Sequence, residues 1–142
     1  MIAPWISGIL NEDTLADIGD ICLGIKGAAI YSSTIDNELN RRLVESCLVK
    51  YGERPGDTIA QGYVAAQVAL EAIKASGGDT SPEALSEAIL GLRVDTPAGP
   101  VSFTLGGVGI HTCYIVEVAK EDGEYLWKVV EVYLDVAPPP AQ

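Results

Sequence analysis

At 142 residues the chain has the length of one domain, long enough to bury a core. Hydrophobic residues make up 48% and charged residues 20%, which excludes a disordered chain. Acids outnumber bases by 20 to 9, and the net charge of −11 argues against a nucleic-acid partner, whose phosphates would be repelled.

Ile2 to Ile6 is a short apolar run that predicts a buried strand. Asn11-Glu12-Asp13-Thr14 supplies N-cap candidates for a helix through Leu15, Ile18 and Cys22, which Gly24 ends. Ile25 to Tyr31 is apolar and small enough for a strand of a parallel sheet buried on both faces. This strand-helix-strand order predicts an α/β layer. A helix is expected over about Ile35 to Tyr51, with Leu39, Leu43 and Cys47 on one face, stopped by Gly52 and Pro55. The next spans about Thr58 to Ser76, with Ile59, Tyr63, Ala66, Leu70 and Ile73 as its apolar stripe. Ser81-Pro82-Glu83 opens a third helix, running to about Leu90 and ended by Gly91. From there the period changes to two. Val101 to Thr104 reads as a strand. Ile110, Thr112, Tyr114, Val116 and Val118 alternate with His111, Cys113, Ile115 and Glu117 in another. Glu121-Asp122-Gly123-Glu124 is a hairpin turn before a strand from Tyr125 to Leu134, and Pro138-Pro139-Pro140 marks a tail.

Residues with chemistry to offer are few. His111 is the only histidine, and it shares a strand face with Cys113, but no oxyanion-hole motif accompanies the pair. Periodicity alone explains His111. Glu12 and Asp13 offer either a carboxylate for a ligand ammonium group or simple capping of the following helix. Gly106-Gly107-Val108-Gly109 lies between strands, so it reads as a turn rather than a phosphate loop, which must open a helix. Trp5, Tyr31, Tyr63 and Trp127 fit core positions better than a stacking site. The spacing of Cys22, Cys47 and Cys113 matches neither a zinc site nor a redox motif. They read as buried thiols, with a Cys22–Cys113 bridge open if the protein is exported. No enzyme activity and no cofactor or metal follow from these residues.

Several pieces do form a recognisable order: Gly24 opening a strand, Tyr51-Gly52 with Pro55, Gly62-Tyr63 starting an Ala-rich helix, and Thr96-Pro97-Ala98-Gly99-Pro100-Val101-Ser102-Phe103. In this order the chain resembles the C-terminal part of the periplasmic solute-binding proteins that serve branched-chain amino-acid ABC transporters. Val64 stands where that family often has Asp. The resemblance implies an α/β fold that is the C-terminal portion of a type I periplasmic-binding-protein fold. In it, two lobes close on a small ligand and hand it to the membrane subunits of an ABC importer. It implies that residues 1–33 form a second-lobe segment and residues 34–96 a first-lobe helical segment. Residues 97–136 would be a hinge crossing with returning strands, and residues 137–142 a tail. Hinge crossings would fall near Ser32–Thr34 and Pro97–Leu105. Ser7, Gly8, Ile9 and Leu10, with Glu12 close by, correspond to the family's ligand loop.

The family's first-lobe sheet is expected to lie N-terminal to Met1, so the chain is expected to be a fragment with part of a binding site. No basic n-region and apolar h-region follow Met1, so no signal peptide is expected there, and no apolar run reaches the roughly 20 residues of a bilayer span. The full-length protein is expected in the periplasm or outside the cytoplasm. Apolar faces left without a sheet predict homo-oligomerisation or repacking of the isolated chain. Two alternatives stand beside solute capture: a ligand-sensing regulatory domain of the same fold, and a free-standing oligomeric interaction module.

Overall fold

The structure is a computed structural model that describes the backbone of residues 2–3 and all of residues 10–137 except the Asp13 side chain. Its centre is a long antiparallel hairpin. Strand β5 (Gly109–Glu121) pairs with β6 (Glu124–Val136) through the tight turn at Asp122-Gly123, both of which have positive φ. On its other side β5 meets β2 (Lys26–Ala29) antiparallel, with Gly27 opposite Val116, and β4 (Val101–Phe103), with Ser102 opposite Ile110. The two outer strands are β1 (Ile2–Ala3), parallel to β2, and β3 (Arg93–Val94), antiparallel to β4. Among the described residues the result is a six-stranded sheet ordered β1-β2-β5-β4-β3, with β6 flanking β5.

Among the described residues four helices accompany the sheet. The helix expected through Cys22 is a broken run. A 3-10 turn (Glu12–Thr14) leads into α1 (Leu15–Ile18), and Gly19 at φ +73° diverts the chain into a second 3-10 turn (Gly19–Cys22). Helix α2 spans Glu38–Tyr51 and starts later than predicted, because Asn37 caps it by accepting from the Asn40 amide at 2.7 Å. Helix α3 (Asp57–Ala75) follows Gly56, and α4 (Pro82–Leu90) is capped by Ser81. Two elements differ from expectation in extent. Of the strand predicted over Ile2 to Ile6, Ile2–Ala3 is strand and the remainder lies outside the described residues, and β3 carried no period long enough to predict.

The core joins the hairpin to the helices through Leu15, Tyr31, Leu43, Tyr114, Val116 and Trp127. On α3 the predicted apolar stripe is reversed. Tyr63 is 50% and Leu70 58% exposed, whereas Ala60, Val68 and Ala72 are buried. The helix is apolar on more than one side, and its small residues take the close approach to the rest of the chain. The three cysteines are free thiols, so no Cys22–Cys113 bridge forms.

Gly99 shows how tightly the segment after β3 is packed. Its φ is +90°, and an added Cβ would lie 2.8 Å from Thr112 Oγ1 and 2.9 Å from Tyr114 Oη. Gly99→Ala should therefore cost roughly 2–4 kcal/mol, from backbone strain plus overpacking. Gly123 also has φ +90°, but nothing stands within 4 Å of its Cβ position. Gly123→Ala should show only the backbone part, about 1–2 kcal/mol. Urea denaturation of the two variants separates these effects, and equal losses would refute the packing argument.

Candidate functional site

The densest polar cluster gathers where the chain leaves β2 for α2. Tyr31 ends the β2 side of this segment, and its hydroxyl donates to Asn40 Oδ1 at 2.7 Å. Asn40 Nδ2 donates to the carbonyls of Ser33 at 3.1 Å and Ile35 at 2.9 Å. Asn37 Nδ2 reaches across to the Pro97 carbonyl at 3.0 Å, so the segments around residues 32–37 and 96–100 are tied directly. Ser32 Oγ and Thr34 Oγ1 both donate to the Trp127 carbonyl, and the Val129 amide donates to Thr34 Oγ1 at 3.2 Å.

Glu12 completes the cluster from the N-terminal side. Its carboxylate accepts from the Ser33 amide at 3.2 Å, the Ser33 hydroxyl at 3.0 Å and the Trp127 amide at 3.0 Å. Burial pushes the Glu12 carboxyl above its ordinary range. The amides of Trp127 and Ser33, the Ser33 hydroxyl and the Arg54 guanidinium draw it partly back. Burial likewise pushes the Tyr31 phenol up, with the Glu12 charge adding to the effect.

Of the residues expected to face a ligand, Ser7, Gly8 and Ile9 lie outside the described residues. Leu10 is half-buried and packs against the core. Glu12 spends both oxygens on protein donors, so in this structure its carboxylate is a tie between three segments. The sequence reading overlooked Asn37 and Asn40. Asn40 falls next to Leu39 within an apolar stretch of periodicity, and a polar residue there is the signal that could have marked it.

A second feature is an apolar cavity of about 470 Å³ between α3 and the β4–β5 side of the sheet. Val64, Val68, Val101 and Phe103 line it, with Gln61 and His111 as polar members. His111 is thus a half-buried wall residue, one end of which packs over Gly109. Among the described residues no group of His, Cys, Asp and Glu could hold a metal ion, and no helix is long and apolar enough to cross a membrane.

The sequence model of the periplasmic binding proteins matches residues 4–124, most of the chain. The chain belongs to the periplasmic binding protein family. Among curated members, "Leu/Ile/Val-binding protein homolog 6" of Brucella abortus (strain 2308) is 28% identical over 129 residues, covering 88% of this chain and 33% of its own. This periplasmic binding protein therefore spans about a third of the length of the curated relatives it matches. A solute-binding protein of an ABC transporter from Rhodopseudomonas palustris BisB5, solved with 3,4-dihydroxybenzoic acid, superposes with TM-score 0.89 at 29% identity. That match covers 97% of this chain and 38% of the other. An ABC transporter substrate-binding protein from Sphaerobacter thermophilus gives TM-score 0.82 at 28% identity, over 89% of this chain and 35% of its own. An R. palustris solute-binding protein in complex with 4-hydroxybenzoate gives 0.79 at 28%, over 91% and 36%. The fold is thus a partial type I periplasmic-binding-protein fold, and the family is one of ABC-transporter solute-binding proteins.

Proposed function

We propose that this chain captures a small carboxylate-bearing solute for an ABC importer, outside the cytoplasm, without converting it chemically. The observation that carries this reading is the superposition of 97% of the chain on an ABC solute-binding protein at TM-score 0.89. The solute is either a branched-chain amino acid or a hydroxylated benzoate. The named relatives are Leu/Ile/Val-binding homologues, and several solved neighbours carry benzoates. Capture proceeds by closure of two bodies around the solute, which then passes to the importer's membrane subunits.

In this reading residues 1–33 and 97–136 belong to one lobe, and the helices within residues 34–96 belong to the other. The close tie between Asn37 and Pro97 supports two chain crossings running side by side. Ser7, Gly8 and Leu10 supply the solute-facing side, with Glu12 next to it. The site is completed by protein corresponding to the two-thirds of the relatives that this chain does not span. The exposed apolar residues Ile59, Tyr63 and Leu70 on α3 support a homo-oligomer for the isolated chain, which light scattering after size exclusion measures.

A thermal-shift series with leucine, isoleucine, valine, 4-hydroxybenzoate and 3,4-dihydroxybenzoate tests capture. A ligand that binds only the native state raises its stability by RT ln(1 + [L]/Kd), about 0.4 kcal/mol when solute equals Kd. With a partial site, a saturable rise at millimolar solute is expected for one of the two classes. A flat response to all five solutes would count against capture by this chain.

A further inference from the structure

Strand β6 pairs with β5 along one edge, and its other edge at Trp127–Val129 is satisfied by side chains instead of a neighbouring strand. Those side chains come from two separate places. Glu12 follows the N-terminal segment, and Ser32 and Thr34 lie on the way from β2 to α2. Glu12 is the one group that touches both of the others, the Ser33 unit and the β6 edge.

We propose that Glu12 is an acid-sensitive clamp on the connection from β2 into α2, a positioning residue for solute capture. The proposal rests on the capture reading for its purpose, since the clamped connection is where the two bodies of that reading would turn. Its geometry stands independently.

Three donors converge on the Glu12 carboxylate, and only an acceptor-only group satisfies all of them. A glutamine would turn an NH₂ group toward at least one donor. A protonated glutamic acid would do the same with its O–H. Acid and the Glu12→Gln substitution should therefore open the same contacts.

The titratable and charged groups around the carboxyl are Tyr31 and Arg54, which interact with its charge, and Glu53, Glu124 and Tyr125, which line the same cavity. Arg54 is the cation among them, and its Nε is held by Glu124 at 3.2 Å. Among the described residues Glu12 has no direct ion pair, and Arg54 offsets the burial of its charge only in part. The direction of the Glu12 shift agrees, because burial is its largest cause and raises it. The native state then takes up a proton more readily than the unfolded chain. Stability from this group is full at low pH and is lost as pH rises through the raised native value. Acidification should therefore loosen the clamp without unfolding the protein, as a switch requires.

Amide hydrogen exchange on the 142-residue chain reads this directly. Glu12→Gln should raise exchange at the Ser33 and Trp127 amides about tenfold and leave Val116 and Val118 in β5 unchanged. After correction for intrinsic chemistry, wild-type exchange at the same two amides should rise on acidification, and that of Glu12→Gln should not. Ser33→Ala keeps the carboxylate but removes one hydroxyl donor, so the acid midpoint should move to higher pH. A purely structural contact would not move that midpoint. The clamp is overturned if Glu12→Gln leaves both amides within about twofold of wild type, or if the two proteins share one pH dependence. The solute series scores capture separately. A wild type that ignores every solute, yet shows the amide signature, removes the capture reading and keeps the clamp.

Discussion

Trp127→Ala should lower stability by about 3–5 kcal/mol, a large fraction of the stability of a domain this size. Trp127 is 0% exposed and stands where the hairpin, the β2–α2 connection and the Leu15 turn meet. Truncation removes the largest fully buried side chain among the described residues and leaves a cavity in the core cluster that also holds Tyr31 and Val116, which a packed interior closes only partly. The loss is one of packing, because the indole N–H has no hydrogen-bond partner among the described residues. Trp127→Phe should therefore recover much of the stability, and a midpoint from urea denaturation ranks the three proteins. A phenylalanine variant as weak as the alanine one would show that the indole N–H contributes after all. The backbone of Trp127 is a separate matter, since its amide and carbonyl hold Glu12, Ser32 and Thr34 whatever side chain it bears.

Asn40→Leu should cost about 3–5 kcal/mol, for a different reason. Asn40 is 1% exposed, and the change is close to conservative in volume. It would strand the Tyr31 hydroxyl and the Ser33 carbonyl, both previously satisfied by the amide, whereas the Ile35 carbonyl keeps the Asn37 amide at 3.1 Å. A buried polar group without a partner costs roughly 1–3 kcal/mol, so the two of them outweigh any gain from the added apolar surface. A double-mutant cycle isolates one contribution. In a Tyr31→Phe background the hydroxyl is gone, and Asn40→Leu should cost about 1 kcal/mol less. Equal costs in both backgrounds would mean that the Tyr31–Asn40 bond contributes nothing. Asn37→Ala loses a helix cap and should cost about 1 kcal/mol, which sets the scale for a half-buried polar contact in the same segment.

The strands after Pro100 were legible because their burial alternates with the residue period. Thr112, Tyr114, Val116 and Val118 are buried, whereas His111, Cys113, Ile115 and Glu117 are half-buried. Helix α4 was legible from three letters, Ser81-Pro82-Glu83, whose cap and first turn form as local chemistry demands. The stripe on α3 misled. Periodicity says that a face is apolar, but it does not say which apolar face meets the rest of the chain, and on α3 the face of Ala60, Val68 and Ala72 does. The polar cluster at Glu12, Ser32, Thr34 and Asn40 was harder still. Its partners lie as far apart in sequence as Glu12 and Trp127, so no local pattern carries them.

By itself the sequence determined the family, the order of elements and the excess of acid over base. These depend on local propensity, on turn residues such as Gly52 and Gly123, and on composition. Only the tertiary structure decided what Glu12 does. A carboxylate after Asn11 can cap a helix, meet a ligand or tie segments together with equal local plausibility. Here the fold brings the Ser33 and Trp127 amides to the same oxygens, and a buried carboxylate goes where donors can replace its lost water.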